Sequence, residues 1–139
     1  MRRVTDTQLL LLATSYLQKI EGRKRFQKII FLLKEQFGIE FKYRFTSYLY
    51  GPYSAQLQDD IDILVRTSYL KVSKISYLYF YEITPLGQKS ASQIEKEYGE
   101  DRARKLQKHA SGMEDLDTEE LVGWSKQLMS KRIKDNIFA

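Results

Sequence analysis

The segment Tyr48-Leu-Tyr-Gly-Pro-Tyr-Ser54 decides the fold of this chain. Residues 39–50 alternate apolar and polar side chains, which is the pattern of a half-buried strand. Proline donates no ladder hydrogen bond and disfavours a helical backbone in the preceding residue, so the Gly51-Pro52 pair is expected to end that strand. Ser54 is a favourable helix N-cap. The segment therefore predicts a strand, a sharp corner and a helix that begins at Tyr53 or Ser54 and ends near Ser68.

The residues on either side of this segment predict further helices and a β-hairpin. Apolar residues at three- and four-residue steps indicate two helices over residues 7–20 and 23–37, each followed by a glycine. The Tyr-rich stretch 69–84 is typical of a hairpin, and Thr84-Pro85 is expected to open another helix. Two more helices are expected after Gly99, the second at Asp117, which has capping-box spacing to Glu120.

The order helix, helix, strand, helix, hairpin is the skeleton of a winged helix-turn-helix domain. We therefore expect an α+β fold with three helices and a small antiparallel β wing over residues 5–98, extended by C-terminal helices over residues 99–139. The chain of 139 residues, 42% hydrophobic and 29% charged, has the composition of an ordinary globular protein. Leu121, Trp124 and Leu128 form an apolar stripe that is expected to support a homodimer.

Composition and motifs argue against several classes of protein. Cysteine is absent, which removes disulfides and thiolate chemistry and fits a cytoplasmic protein. No apolar run approaches the roughly 20 residues that span a bilayer, so no membrane association is expected. His109 is the single histidine, and neither a nucleophile elbow nor a phosphate loop is present. We expect a non-enzymatic protein with no metal and no small-molecule cofactor.

Positive charge is concentrated in the N-terminal third. Residues 1–48 contain ten Lys/Arg and four Asp/Glu, whereas the whole chain has a net charge of +5. A basic cluster opens the second predicted helix and consists of Arg23, Lys24, Arg25 and Lys28. Such a cluster is expected to contact phosphates, and the alternative is a solvated helix face that aids solubility.

The third predicted helix occupies the position of a recognition helix, yet it is acidic. Further candidate nucleic-acid contacts are Gln56, Gln58, Arg66 and, in the wing, Lys74. Asp59, Asp60 and Asp62 would meet phosphates with the wrong sign, which argues against ordinary reading of the major groove. Alternatively, Asp60 pairs with Arg23 or Lys28 inside the fold.

Tyrosines supply a second kind of candidate contact. Tyr48, Tyr50 and Tyr53 flank the corner, where they are suited to stack on bases or peptide, or to fill a seam of the core. A two-stranded wing buries only one face, so some of its tyrosines should be exposed, or be covered by the Trp124 helix or by a second subunit. The candidate partner contacts are Tyr77, Tyr79, Leu121, Trp124 and Leu128.

Three parts of the chain together resemble a known family. These are Gly22-Arg-Lys-Arg-Phe-Gln-Lys-Ile-Ile-Phe-Leu-Leu33, the segment Tyr48 to Ser54, and Asp60-Ile61 with Leu64. They resemble the YwgA-like family of small bacterial and archaeal proteins, and they are also similar to the Panacea or SocA-type antitoxin domain. The resemblance covers roughly residues 20–90 and implies no catalytic residues. The exit from the hairpin, Tyr81-Glu-Ile-Thr-Pro-Leu-Gly87, is similar to the Thr-x-x-Gly step after the wing of many winged-helix regulators.

Two functions follow as hypotheses. The first is a DNA-binding, transcriptional-regulator-like protein that contacts phosphates through its basic helices and wing. The alternative is an antitoxin-like or adaptor module that binds a protein partner and has no sequence-specific DNA binding. A positive face across the third helix would favour DNA, whereas a negative third helix beside exposed aromatic side chains would favour protein.

Overall fold

The first helix is shorter than its apolar pattern predicts. The computed structural model describes residues 3–138, and in it α1 spans Asp6–Tyr16. Thr5 caps it in a capping box with Gln8, in which each side chain bonds to the other residue's backbone N–H. The prediction of helix as far as Ile20 is wrong, because Ile20–Glu21 forms a short strand, β1, in which Ile20 pairs with Tyr81.

The second helix lies at the centre of the molecule. α2 spans Arg23–Glu35, and every residue from Phe26 to Leu33 is buried. Such a run means that the helix is surrounded on all sides rather than on one face. It packs against α6 (Thr118–Phe138), α5 (Glu100–Met113) and the strand β3 (Gly51–Tyr53).

The predicted strand over residues 39–50 is instead an extended segment followed by a hairpin. Side chains from Ile39 to Tyr43 alternate between buried and exposed, as expected, but they form no ladder. The ladder begins at β2 (Thr46–Tyr48), which pairs antiparallel with β3 through a two-residue turn. The Gly51-Pro52 pair was predicted to end a strand. Instead, it begins β3, the second strand of the hairpin. Proline is tolerated there because this small sheet has only edge strands.

The next elements follow the predicted order. Ser54 caps α3 (Ala55–Arg66), and Thr84 caps α4 (Pro85–Tyr98), each by accepting a hydrogen bond from the first turn. Between them, β4 (Leu70–Ile75) and β5 (Leu78–Ile83) form the expected hairpin. With β1 they make a three-stranded antiparallel sheet in the order β1-β5-β4. The turn of this hairpin is Ser76-Tyr77, so Tyr77 lies at its tip.

The C-terminal helices share one core with the N-terminal half. Ala103, Leu106 and Leu121 belong to the same buried cluster as the leucines of α1 and the isoleucines of α2. The architecture is thus α+β, as predicted, with six helices and two small antiparallel sheets among residues 3–138. No helix in that range is both long enough and apolar enough to cross a membrane.

Candidate functional site

Hydrogen bonds join the two segments that carry most of the family resemblance, Gly22 to Leu33 and Tyr48 to Ser54. The Gln27 side chain, which is buried in α2, bonds to both backbone groups of Ser54. Its Nε2 donates to Ser54 O at 2.9 Å, and its Oε1 accepts from Ser54 N at 2.8 Å. One residue further on, Lys28 Nζ donates to Pro52 O at 2.8 Å. The Gln-Lys pair of α2 therefore holds the start of α3 and the β2–β3 hairpin in place.

Gly51 allows close packing at this junction. Its φ of +100° is a conformation that side chains with a Cβ rarely adopt. A Cβ there would lie 3.4 Å from Lys28 Cε and 3.4 Å from Lys126 Cγ on α6. The β2–β3 hairpin is therefore held between α2 and α6, and this explains why β3 begins with a glycine.

A cavity of about 370 Å³ lies between α2 and the hairpin, and we call it the hairpin cavity. Its cationic lining residues are Arg23, Lys24 and Lys28, and its aromatic ones are Tyr48, Tyr50 and Tyr53. Gln27 and Gly51 complete the wall. None of these described lining residues is acidic. The cavity thus combines apolar ring surface with positive charge.

Lys28 is the least ordinary group in the cavity wall. The residue is only 3% exposed, and no ion pair joins it to a carboxylate within residues 3–138. Burial first, and then the nearby positive charges of Lys24 and Lys126, lower the pKa of its ammonium to about 8. A buried cation with a neutral carbonyl as its partner is costly unless an anion compensates it.

Cations and aromatic rings alternate from the β4–β5 hairpin to the hairpin cavity. Lys74 Nζ lies 5.6 Å from the ring centre of Tyr79, and the guanidinium carbon of Arg23 lies 5.4 Å from the same ring. Lys24 Nζ lies 4.2 Å from the ring centre of Tyr50. All of these distances are within cation–π range. Because Arg23 and Lys24 both line the hairpin cavity, these five residues form a continuous surface, which we call the aromatic belt.

The tip of the β2–β3 hairpin is apolar and exposed. Leu49 is 78% exposed, and Tyr48 and Tyr50 on either side of it are 62% and 57% exposed. Tyr48 packs edge-on against Tyr53, with ring centres 5.5 Å apart. The alternative that these rings fill a seam of the core is therefore wrong for Tyr48 and Tyr50. Tyr53, in contrast, is half-buried.

Arg25 does not belong to this surface. Its guanidinium donates to three backbone carbonyls at the α5–α6 connection, those of Leu116 at 2.5 Å, Met113 at 3.0 Å and Glu114 at 3.1 Å. These bonds cap the end of α5, where unpaired carbonyls need donors. These donors are used inside the fold, and phosphate contact by Arg25 stays a prediction.

The two glutamines of α3 that were candidates for contacting DNA bases form hydrogen bonds within the chain. Gln56 Oε1 accepts from the backbone N–H of Arg44 at 3.2 Å. Gln58 is buried and donates to Asp62 at 3.1 Å. Arg66 is exposed in the last turn. Gln58 is therefore buried away from base edges, whereas Gln56 is exposed and uses only its Oε1 in this bond.

α3 displays carboxylates on its exposed surface. Asp59 and Asp62 are exposed. Asp60 accepts a 2.6 Å hydrogen bond from the Tyr43 hydroxyl, so its predicted pairing with Arg23 or Lys28 is wrong. Burial and this bond to Asp60 raise the pKa of Tyr43, which keeps the phenol protonated as the donor.

The predicted partner contacts separate into exposed and packed groups. Tyr77 is 91% exposed at the tip of the β4–β5 hairpin, whereas Tyr79 is partly buried between Lys74 and Arg23 of the belt. Leu121 is fully buried, and Trp124 and Leu128 pack partly against the same core. This packing explains the apolar stripe of α6 without a second subunit, and the homodimer stays a prediction.

The single histidine packs against an aromatic ring. The His109 ring stacks on Phe37 with centres 3.9 Å apart, and burial beside Lys108 and Lys105 lowers its pKa. Among the described residues, no group of three or more His, Cys, Asp or Glu is arranged to hold a metal ion.

Sequence reasoning missed Gln27, Gly51 and Lys126 as parts of this site. One signal was present for the first of them, because Gln27 and Lys28 interrupt an otherwise apolar run in a helix that is buried on every side. Buried polar side chains are paired, so two of them in such a helix indicate partners from another segment.

Known proteins do not extend these observations. No family model matches the chain, and neither a curated protein nor a solved structure is significantly similar to it. The resemblance to the YwgA-like family and to the antitoxin domain stays a prediction from residues 20–90.

Proposed function

We propose that this chain is a non-enzymatic binding protein built on a winged-helix domain. The order of its elements supports this fold: α1, β1, α2, the β2–β3 hairpin, α3 and then the β4–β5 hairpin, with β1 added to the β4–β5 hairpin in one sheet. Apart from the β2–β3 hairpin, that is the sequence of helices and strands in winged-helix regulators. In this arrangement α3 occupies the recognition position, and the β4–β5 hairpin is the wing.

The function that the geometry supports best is binding of nucleic acid through phosphate contacts. The observation that carries it is the aromatic belt, which places Lys74 of the wing and Arg23 and Lys24 of α2 on one continuous surface. Cations attract phosphates whatever the sequence of bases, and neighbouring aromatic rings add stacking. The exposed carboxylates Asp59 and Asp62 are unfavourable for sequence reading by α3, so we expect little sequence specificity.

A DNA titration at about 50 mM salt, followed by fluorescence anisotropy, tests this proposal. The triple variant Arg23→Ala, Lys24→Ala, Lys74→Ala should bind at least tenfold more weakly, and its dependence on log salt should be shallower by about three units. A matched control replaces the exposed Lys89, Lys108 and Lys131, which removes the same charge elsewhere. Equal weakening in both variants would mean that net charge matters and the belt does not.

A second candidate function rests on the hairpin tip. Leu49 and its neighbouring tyrosines are exposed apolar surface, and α3 displays acids, which together favour an antitoxin-like or adaptor module with a protein partner. Leu49→Asp should abolish capture of a partner from extracts of the source cell and leave DNA binding unchanged. If Leu49→Asp captures the same proteins as the unchanged chain, the hairpin tip is not their contact.

A further inference from the structure

We propose that the hairpin cavity takes one unpaired nucleotide, so that the protein prefers single-stranded over duplex nucleic acid. The inference rests on the proposed nucleic-acid function and names its substrate class.

The first argument is the chemistry of the cavity wall. Three cationic and three tyrosine side chains line it, and none of its described lining residues carries negative charge. Such a wall suits a ligand that has a flat apolar body and an anionic group, which is the make-up of a nucleotide. A volume of about 370 Å³ is at the small end of ligand pockets, so it suits one nucleotide and excludes a helix or a duplex.

The second argument is the buried charge of Lys28. Its ammonium donates to the Pro52 carbonyl, which is neutral, and Lys24 and Lys126 add like charge nearby. No residue within 3–138 supplies a carboxylate to this ammonium. A phosphate at the cavity would supply the missing negative charge, with Lys24 and Arg23 as further donors.

The third argument is the exposure of the rings. Tyr48 and Tyr50 are more than half exposed although each is large and apolar. Every base has a π face that stacks on such a ring, but a base inside a duplex has both faces covered by its neighbours. The rings can therefore be used only by a base that has left the stack. The aromatic belt would then hold the phosphates of the adjoining strand.

The test compares two labelled probes at about 50 mM salt by fluorescence anisotropy, a single-stranded thymine oligonucleotide of about twelve residues and a duplex of the same length. The single strand should bind at least tenfold more tightly. Tyr50→Ala should weaken single-strand binding by about tenfold and hardly change duplex binding. The control is Tyr77→Ala, which removes an exposed tyrosine outside the cavity and should change neither.

A second variant separates the charge from the ring. Lys28→Met keeps the length of the side chain and removes its charge, and it should weaken single-strand binding severalfold. Thermal melting of each variant checks that the fold persists, which is the expected result because Tyr50 is exposed and methionine suits a buried position.

The outcomes distinguish the two proposals. Equal affinity for both probes with an ineffective Tyr50→Ala would overturn the nucleotide site and leave phosphate binding by the belt intact. Binding of neither probe would overturn both. An acidic, aromatic peptide that binds in a Tyr50-dependent manner while neither probe binds would assign the cavity to a protein partner and also overturn the inference.

Discussion

Replacing Gln27 by methionine tests whether one side chain holds the two halves of the site together. Methionine has nearly the same length and no polar atoms, so the change removes two hydrogen bonds and leaves little cavity. The Ser54 carbonyl keeps a bond from Gln58 N at 3.2 Å, but the buried Ser54 N–H loses its acceptor. Leaving a buried donor unpaired costs about 1–3 kcal/mol.

We therefore expect the free energy of unfolding of Gln27→Met to fall by about 2 kcal/mol, a large part of the 5–15 kcal/mol typical of a domain. Urea unfolding at pH 7, followed by circular dichroism, measures it from the midpoint and a common slope. The control is Gln36→Met at the exposed end of the same helix, which should change stability by less than about 0.5 kcal/mol. A Gln27→Met protein as stable as this control would refute the reasoning.

Two further predictions concern packing and charge. Gly87→Ala should lower stability by about 3 kcal/mol, because its Cβ would lie 2.1 Å from the Tyr69 carbonyl oxygen, whereas Gly123→Ala in open space should raise it by about 0.5–1 kcal/mol. The melting temperatures of the two variants test this difference. An unchanged melting temperature for Gly87→Ala would mean that α4 does not pack closely against the Tyr69 carbonyl. Because the pKa of Lys28 is about 8 in the fold and ordinarily 10.5, the unfolded chain binds more protons between these values, and stability should rise with pH across that window. The urea midpoint of the unchanged chain should rise between pH 7, 9 and 10.5, and that of Lys28→Met should not. If the midpoints of both proteins change in parallel with pH, Lys28 is not the source of the rise.

Local signals predicted the elements whose partners lie close in sequence. Ser54 and Thr84 cap their helices through residues three positions ahead, and Asp117 accepts from Glu120 N as its spacing predicts. The alternation over residues 39–43 also predicted which side chains are buried. These features depend on backbone geometry within one turn or a few strand residues, so the sequence contains them directly.

The Thr84–Gly87 step shows where local reasoning reaches its limit. Its spacing suggested the exit of a wing, and the Thr84 hydroxyl does cap α4 by accepting from Gly87 N at 3.0 Å. The need for glycine, however, comes from the Tyr69 carbonyl, which lies against the helix. No pattern within residues 81–87 contains that contact.

The amino-acid sequence alone determined the helices, the β4–β5 hairpin and the excess of cations near residue 23. Only the tertiary structure decided what each cation does. Arg25 bonds to a carbonyl 91 residues away, Lys28 to one 24 residues away, and Lys24 lies over Tyr50 beside the cavity. A basic cluster looks uniform in sequence, but its side chains leave a helix at about 100° intervals, so neighbours in the chain meet different surroundings.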